Sequence, residues 1–128
     1  MTPLVREWVQ KAEADFSTAA REFRVRKNPN HDAVCFHAQQ CAEKYLKALL
    51  QERKTVFGKT HSLIALLELL LPVDKSRELF RSDLHRLSAF AVHVRYPGES
   101  ADRRMAQEAL QSARAIRLAS RRQLGLKG

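Results

Sequence analysis

Proline and glycine are scarce in this chain, four of each among 128 residues. Tight turns draw on those residue types, so few sharp connections can be built and the elements between them must be long. Cysteine is scarcer: Cys35 and Cys41 alone cannot make a disulfide framework. A chain of this length can bury a core without one. No run approaches the roughly 18 apolar residues of a membrane-crossing helix; the longest, Leu63–Leu71, is broken by Glu68. The opening residues, Met1-Thr2-Pro3-Leu4-Val5-Arg6-Glu7, lack the basic stretch and unbroken apolar run of a signal peptide. The expectation is a cytoplasmic protein with no membrane partner. Also missing are a Gly-rich phosphate loop, a Gly-x-Ser-x-Gly elbow and a metalloprotease helix motif.

What the chain does have is positive charge. Twenty-three Lys and Arg against 14 Asp and Glu leave a net charge of +9. Such a balance either keeps the protein soluble or serves a polyanionic partner. It also has helical periodicity. Val5, Trp8, Val9, Ala12, Phe16, Ala19 and Phe23 step by three or four after Thr2-Pro3, a good helix start, and the pattern ends near Val25 before Asn28-Pro29-Asn30. Asp32 suits the cap of a second helix. That helix is apolar over so much of its circumference, from Val34 to Leu50, that it belongs at the centre of a bundle.

A basic loop around Gly58 leads to a short leucine-rich helix that opens at His61-Ser62 and closes at Pro72. Asp74 or Ser76 suits the cap of the fourth helix, with Phe80, Leu84, Leu87, Ala91 and Val94 on its inner stripe. Ser100 suits the cap of the fifth, and Gln123–Gly128 is expected to fray. No strand, repeat or linker is evident. The fold class is all-α: an antiparallel up-and-down bundle of four long helices plus one short helix, one domain spanning residues 1–128.

Four segments carry a resemblance. They are Trp8-Val9-Gln10-Lys11-Ala12-Glu13-Ala14-Asp15 with its Ala-x-x-Asp element, the run from Phe36-His37-Ala38-Gln39-Gln40-Cys41-Ala42-Glu43-Lys44 to Leu50, Thr60-His61-Ser62-Leu63, and Arg95-Tyr96-Pro97-Gly98. In this order they resemble the HEPN family of prokaryotic helical bundles over nearly the whole chain. Many relatives carry an Asp and a Tyr just before the Arg-Tyr-Pro turn; here Ser88 and Ala91 stand there. The resemblance implies a homodimer that works with a minimal nucleotidyltransferase protein in a toxin–antitoxin or stress-response system, binding a nucleotide or RNA. The alternative it implies is a metal-independent ribonuclease using an Arg-x(4–6)-His motif.

Arg86 and His93 fit the Arg-x(6)-His form, and seven residues is nearly two helical turns, so both share a side. A guanidinium can hold a phosphate and an imidazole can move a proton near neutral pH; Tyr96 could assist and Arg95 anchor RNA. The plainer reading is a chance match in a chain rich in Arg. On the second helix, His37, Gln40, Glu43, Lys44 and Lys47 recur at helical steps as a polar strip. They suit a binding face or, as the plainer reading, internal hydrogen bonds with a Glu43–Lys47 pair and a solvated outer face. On the fifth helix Arg114, Arg117, Arg121 and Arg122 follow the last acidic residue, Glu108. They complement the helix dipole, or they contact phosphates. His31 with Cys35 and His37 with Cys41 have metal-like spacing, but a six-residue step rotates about 240° and splits the pairs. No metal or cofactor is expected.

Overall fold

The computed structural model describes residues 1–128 and contains five α-helices and no strand. Helix α1 (Pro3–Phe23) begins as its sequence demands: Pro3 sits at the first helical position and the Thr2 hydroxyl accepts from the Val5 N–H. It stops two residues before Val25, and Asn28 turns the chain with a φ of 52°.

Helix α2 (His31–Glu52) is capped by Asn30, whose side chain accepts from the Ala33 N–H at 3.0 Å. Asp32 is therefore not the cap. Its carboxylate accepts the Ala101 N–H at 2.7 Å and ties the start of α2 to the segment entering the last helix. Helix α3 (Leu63–Leu70) is capped by Ser62, as its sequence suggests. Asp74 then caps a 3-10 turn, Lys75–Phe80, rather than α-helix. One carboxylate serves both Ser76 and Arg77, which winds the chain tightly before α4 (Arg81–His93) begins. Helix α5 (Arg103–Gln123) is capped by Asp102, not Ser100; the Asp102 carboxylate accepts the Met105 N–H at 2.8 Å.

The C-terminal segment does not fray. The Leu126 N–H bonds to the Arg121 carbonyl and the Gly125 N–H to the Arg122 carbonyl, with Gly125 at φ 75°. This double closure satisfies the last carbonyls of α5 and presses Leu124 into the core.

Helix α2 is the centre, packed on by α1, α3, α4 and α5. Its buried residues run from Val34 to Leu50 and include Tyr45, Leu46 and Leu50 with no exposed surface. From Cys35 onward its buried apolar residues meet Leu63, Leu66, Leu67, Leu84, Leu87 and Ile116 in one cluster of 24 buried residues, while Val34 packs with Ala19, Ala106 and Leu110 in a smaller one. Each such side chain contributes about 1.5–3 kcal/mol. The four long helices alternate in direction along the chain, α1 against α2 and α4 against α5, with the short α3 between the two pairs. Helices α2 and α5 run the same way, since Asp32 meets Ala101 while Tyr45 meets Arg121. No helix is long and apolar enough to cross a membrane.

Candidate functional site

A helix with apolar residues on every side has no free polar face, so the polar residues of α2 need partners from its neighbours. Asp15, buried on α1, meets two of them. One carboxylate oxygen accepts from His37 Nδ1 at 2.8 Å and the other from Lys44 Nζ at 2.5 Å. His37 and Lys44 are seven residues apart and lie on one side of α2, the side that α1 covers.

A second arrangement of the same kind sits one step around the helix. The Glu43 carboxylate is 2% exposed. It receives Lys47 Nζ at 3.1 Å and Gln39 Nε2 at 3.4 Å, and His61 Nδ1 lies 3.2 Å from one oxygen and 3.3 Å from the other. Lys47 also rests over the Trp8 ring, 5.4 Å from its centre. A buried charge is tolerable only when paired and hydrogen-bonded, and here each carboxylate has its own lysine. The result is two parallel triads, Lys44–Asp15–His37 and Lys47–Glu43–His61.

In both triads the carboxylate takes the imidazole through Nδ1, which assigns the proton to Nδ1 and turns Nε2 outward. Both imidazoles line one open cleft of about 640 Å³ between α2, the lead into α3 and the end of α4. Gln39, Gln40 and Arg95 line it as well. Gln40 is held in place by donating to Gln39 at 2.8 Å. The volume lies in the range of small-molecule sites, about 300–1,000 Å³.

Of the residues singled out by sequence, the fold brings His37, Gln40 and Arg95 together at this cleft. Glu43, Lys44 and Lys47 stand behind it, inside the triads. Arg86 lies on α4 but faces α5, donating to Ser112 Oγ at 3.1 Å and, at 3.4 Å, to Asp83. His93, two turns on, lies with Nε2 3.3 Å from the Ser100 carbonyl and 3.5 Å from Glu99. Tyr96 is exposed on the turn that follows.

The arginines of α5 point elsewhere. Arg117 grips Glu13 with two bonds of 2.7 and 2.8 Å. Arg121 reaches the Tyr45 hydroxyl at 3.3 Å and the Lys127 carbonyl at 2.5 Å. Arg114 lies over the Phe16 ring, 5.7 Å from its centre. Burial pushes the Glu13 carboxyl up, yet the bonds from Arg117 and Tyr45 outweigh it and hold the group below its ordinary value. Burial pushes the Tyr45 hydroxyl and the Cys41 thiol well above theirs, and Cys35 to about 11. These cysteines are inert packing groups.

Asp15, Gln39 and His61 are site residues that the spacing argument on α2 did not reach. Asp15 ends the Ala-x-x-Asp element and His61 sits in Thr60-His61-Ser62-Leu63. Both segments stand out in the sequence without revealing that they converge on α2.

Comparison with known proteins bears on the whole chain. The family model described as HEPN domain matches residues 5–123. The crystal structure of an archaeal HEPN homologue superposes with a TM-score of 0.66 at 24% identity, covering 94% of this chain and 97% of that one. No curated protein matches.

Proposed function

The chain belongs to the HEPN domain family, and from that premise we propose that it is an interaction module, a homodimer that works with a minimal nucleotidyltransferase chain in a toxin–antitoxin or stress-response pair and takes a nucleotide or RNA into the cleft beside His37. The observation that carries the ligand part is the cleft itself. Two imidazoles, two glutamines and an arginine line one open volume of about 640 Å³. Behind it, the buried Asp15 and Glu43 carboxylates each take one imidazole through Nδ1, His37 at 2.8 Å and the largely exposed His61 at 3.2 Å. The net charge of +9 favours an anionic partner.

The test has two parts. Light scattering on the purified protein should give twice the mass of one chain. Co-expression with a minimal nucleotidyltransferase encoded beside it should yield a complex that survives size exclusion. A monomer that forms no such complex sinks the proposal.

The second reading is a metal-independent ribonuclease. Its support is that Arg86 and His93 both keep solvent access, with side chains 40% and 39% exposed. Arg86 would hold the phosphate and His93 would move the proton, with Tyr96 assisting. RNA cleavage in EDTA by wild type, lost in His93→Ala, is the expected outcome of that reading; equal activity of the two proteins removes it.

A further inference from the structure

Each triad uses its lysine to balance its carboxylate, so neither imidazole is needed for that task. Lys44 and His37 take different oxygens of Asp15. Glu43 has Lys47 within 3.1 Å. The remaining acid on the cleft wall, Asp32, accepts the Ala101 N–H through one oxygen and keeps its charge. Among the imidazole and cationic groups of the cleft wall, those without a protein partner are Nε2 of His37 and Nε2 of His61, each a donor once its ring is protonated, and the Arg95 guanidinium.

We infer that this cleft is a receptor for a terminal phosphate, with His37, His61 and Arg95 each addressing one of its oxygens and Asp15 and Glu43 acting as positioning residues behind the two imidazoles. The inference rests on the nucleotide-binding part of the proposed function and names the portion of the ligand that is recognised. A phosphate monoester presents three non-bridging oxygens and nearly two charges at neutral pH. A backbone diester presents two such oxygens and one charge. Three converging donors, one of them a permanent cation, match the first better than the second. An imidazole that already donates Nδ1–H to a carboxylate donates from Nε2 only when protonated, so the bound phosphate and the imidazolium form together. The groups around the two rings that carry charge are Asp15, Lys44, Glu43, Lys47, Asp32 and Arg95.

The probe is adenosine 5′-monophosphate, titrated calorimetrically into the full chain, with adenosine, inorganic phosphate and a dinucleotide lacking terminal phosphate as comparators. The monophosphate should bind at least tenfold more tightly than adenosine or the dinucleotide. Inorganic phosphate should compete for the same site. His37→Gln, His61→Gln and Arg95→Gln should each weaken it by roughly tenfold, the value of one charge-assisted contact. In nitrogen-resolved imidazole spectra, the Nε2 signals of both rings should move on adding the monophosphate while the Nδ1 signals stay. Asp15→Asn should shift the His37 signals before any ligand is added, and a purely structural role for Asp15 would leave the ligand-induced Nε2 response unchanged in that variant.

Equal affinity for adenosine and its monophosphate overturns the inference, as does no binding of monophosphate or inorganic phosphate. Wild-type affinity in the three glutamine variants overturns it too. Dimer mass and partner complex are measured on the same preparations. A protein that pairs but binds no phosphate loses this inference alone; one that binds phosphate but does not pair loses the module reading alone.

Discussion

Replacing Glu43 by leucine strands a cation. Lys47, with only 8% of its side chain exposed, would keep the Trp8 ring but lose its carboxylate. Breaking a buried pair by removing one partner costs about 3–5 kcal/mol, out of a total near 5–15 kcal/mol for a folded domain. For a chain of this size that is roughly a 10–20 °C fall in melting temperature. Lys47→Met keeps the length of the side chain over Trp8, and Glu43 retains His61 at 3.2 Å and Gln39 at 3.4 Å. Its cost should be smaller, about 2 kcal/mol, the penalty for one lost charged hydrogen bond. The double variant removes both charges and fills the space with apolar groups, so it should lie within about 1 kcal/mol of wild type. Urea unfolding followed by circular dichroism on all four proteins gives the cycle at neutral pH. A double variant as unstable as the sum of the two single ones would falsify the claim that the pair is buried as a unit. So would a Glu43→Leu protein within about 0.5 kcal/mol of wild type, the range of an ordinary surface change.

Three further outcomes can be checked with the same preparations. Because the Glu13 carboxyl is held below its ordinary value in the folded chain, its contribution is present at neutral pH and lost as pH falls through the ordinary carboxylate range and below. Glu13→Gln should therefore flatten the acid limb of the stability curve measured by urea unfolding, and an unchanged limb refutes the assignment. Gly125→Ala meets no atom within 4 Å, so its only penalty is the positive φ of 75°; a loss of about 1 kcal/mol is expected in the same assay, and no loss would mean that the closing turn at Leu126 is not formed in solution. Cys35 and Cys41 should resist a thiol reagent in native protein and react at once in urea, since both are buried and Cys35 is pushed up to about 11; rapid native labelling contradicts the packing of α2.

The helix caps mark where local reading stops. Asn30, Asp32, Ser100 and Asp102 are all competent caps by residue type. Asn30 wins at α2 because its own N–H is held by Glu22 at 2.9 Å and because Asp32 is taken by Ala101. Glu22 and Ala101 lie on other elements, so the local sequence cannot rank the candidates. The polar strip of α2 behaves the same way. Its spacing was visible, and so was the Glu43–Lys47 pair at one helical turn. Which of its members would face a cleft depended on α1 covering Lys44 and on His61 arriving from beyond the loop around Gly58.

The amino-acid order alone determined five amphipathic helical segments, a second helix apolar on nearly every side and hence central, and a strongly cationic exterior. Those are consequences of short-range periodicity, which each segment carries within itself. The tertiary structure decided which charges are spent and which remain. Arg117 is neutralised by Glu13, 104 residues away in the chain, and the carboxylates that orient His37 and His61 are set there by packing. Ion pairing depends on distance in space, and distance in space is settled only when the helices close on one another.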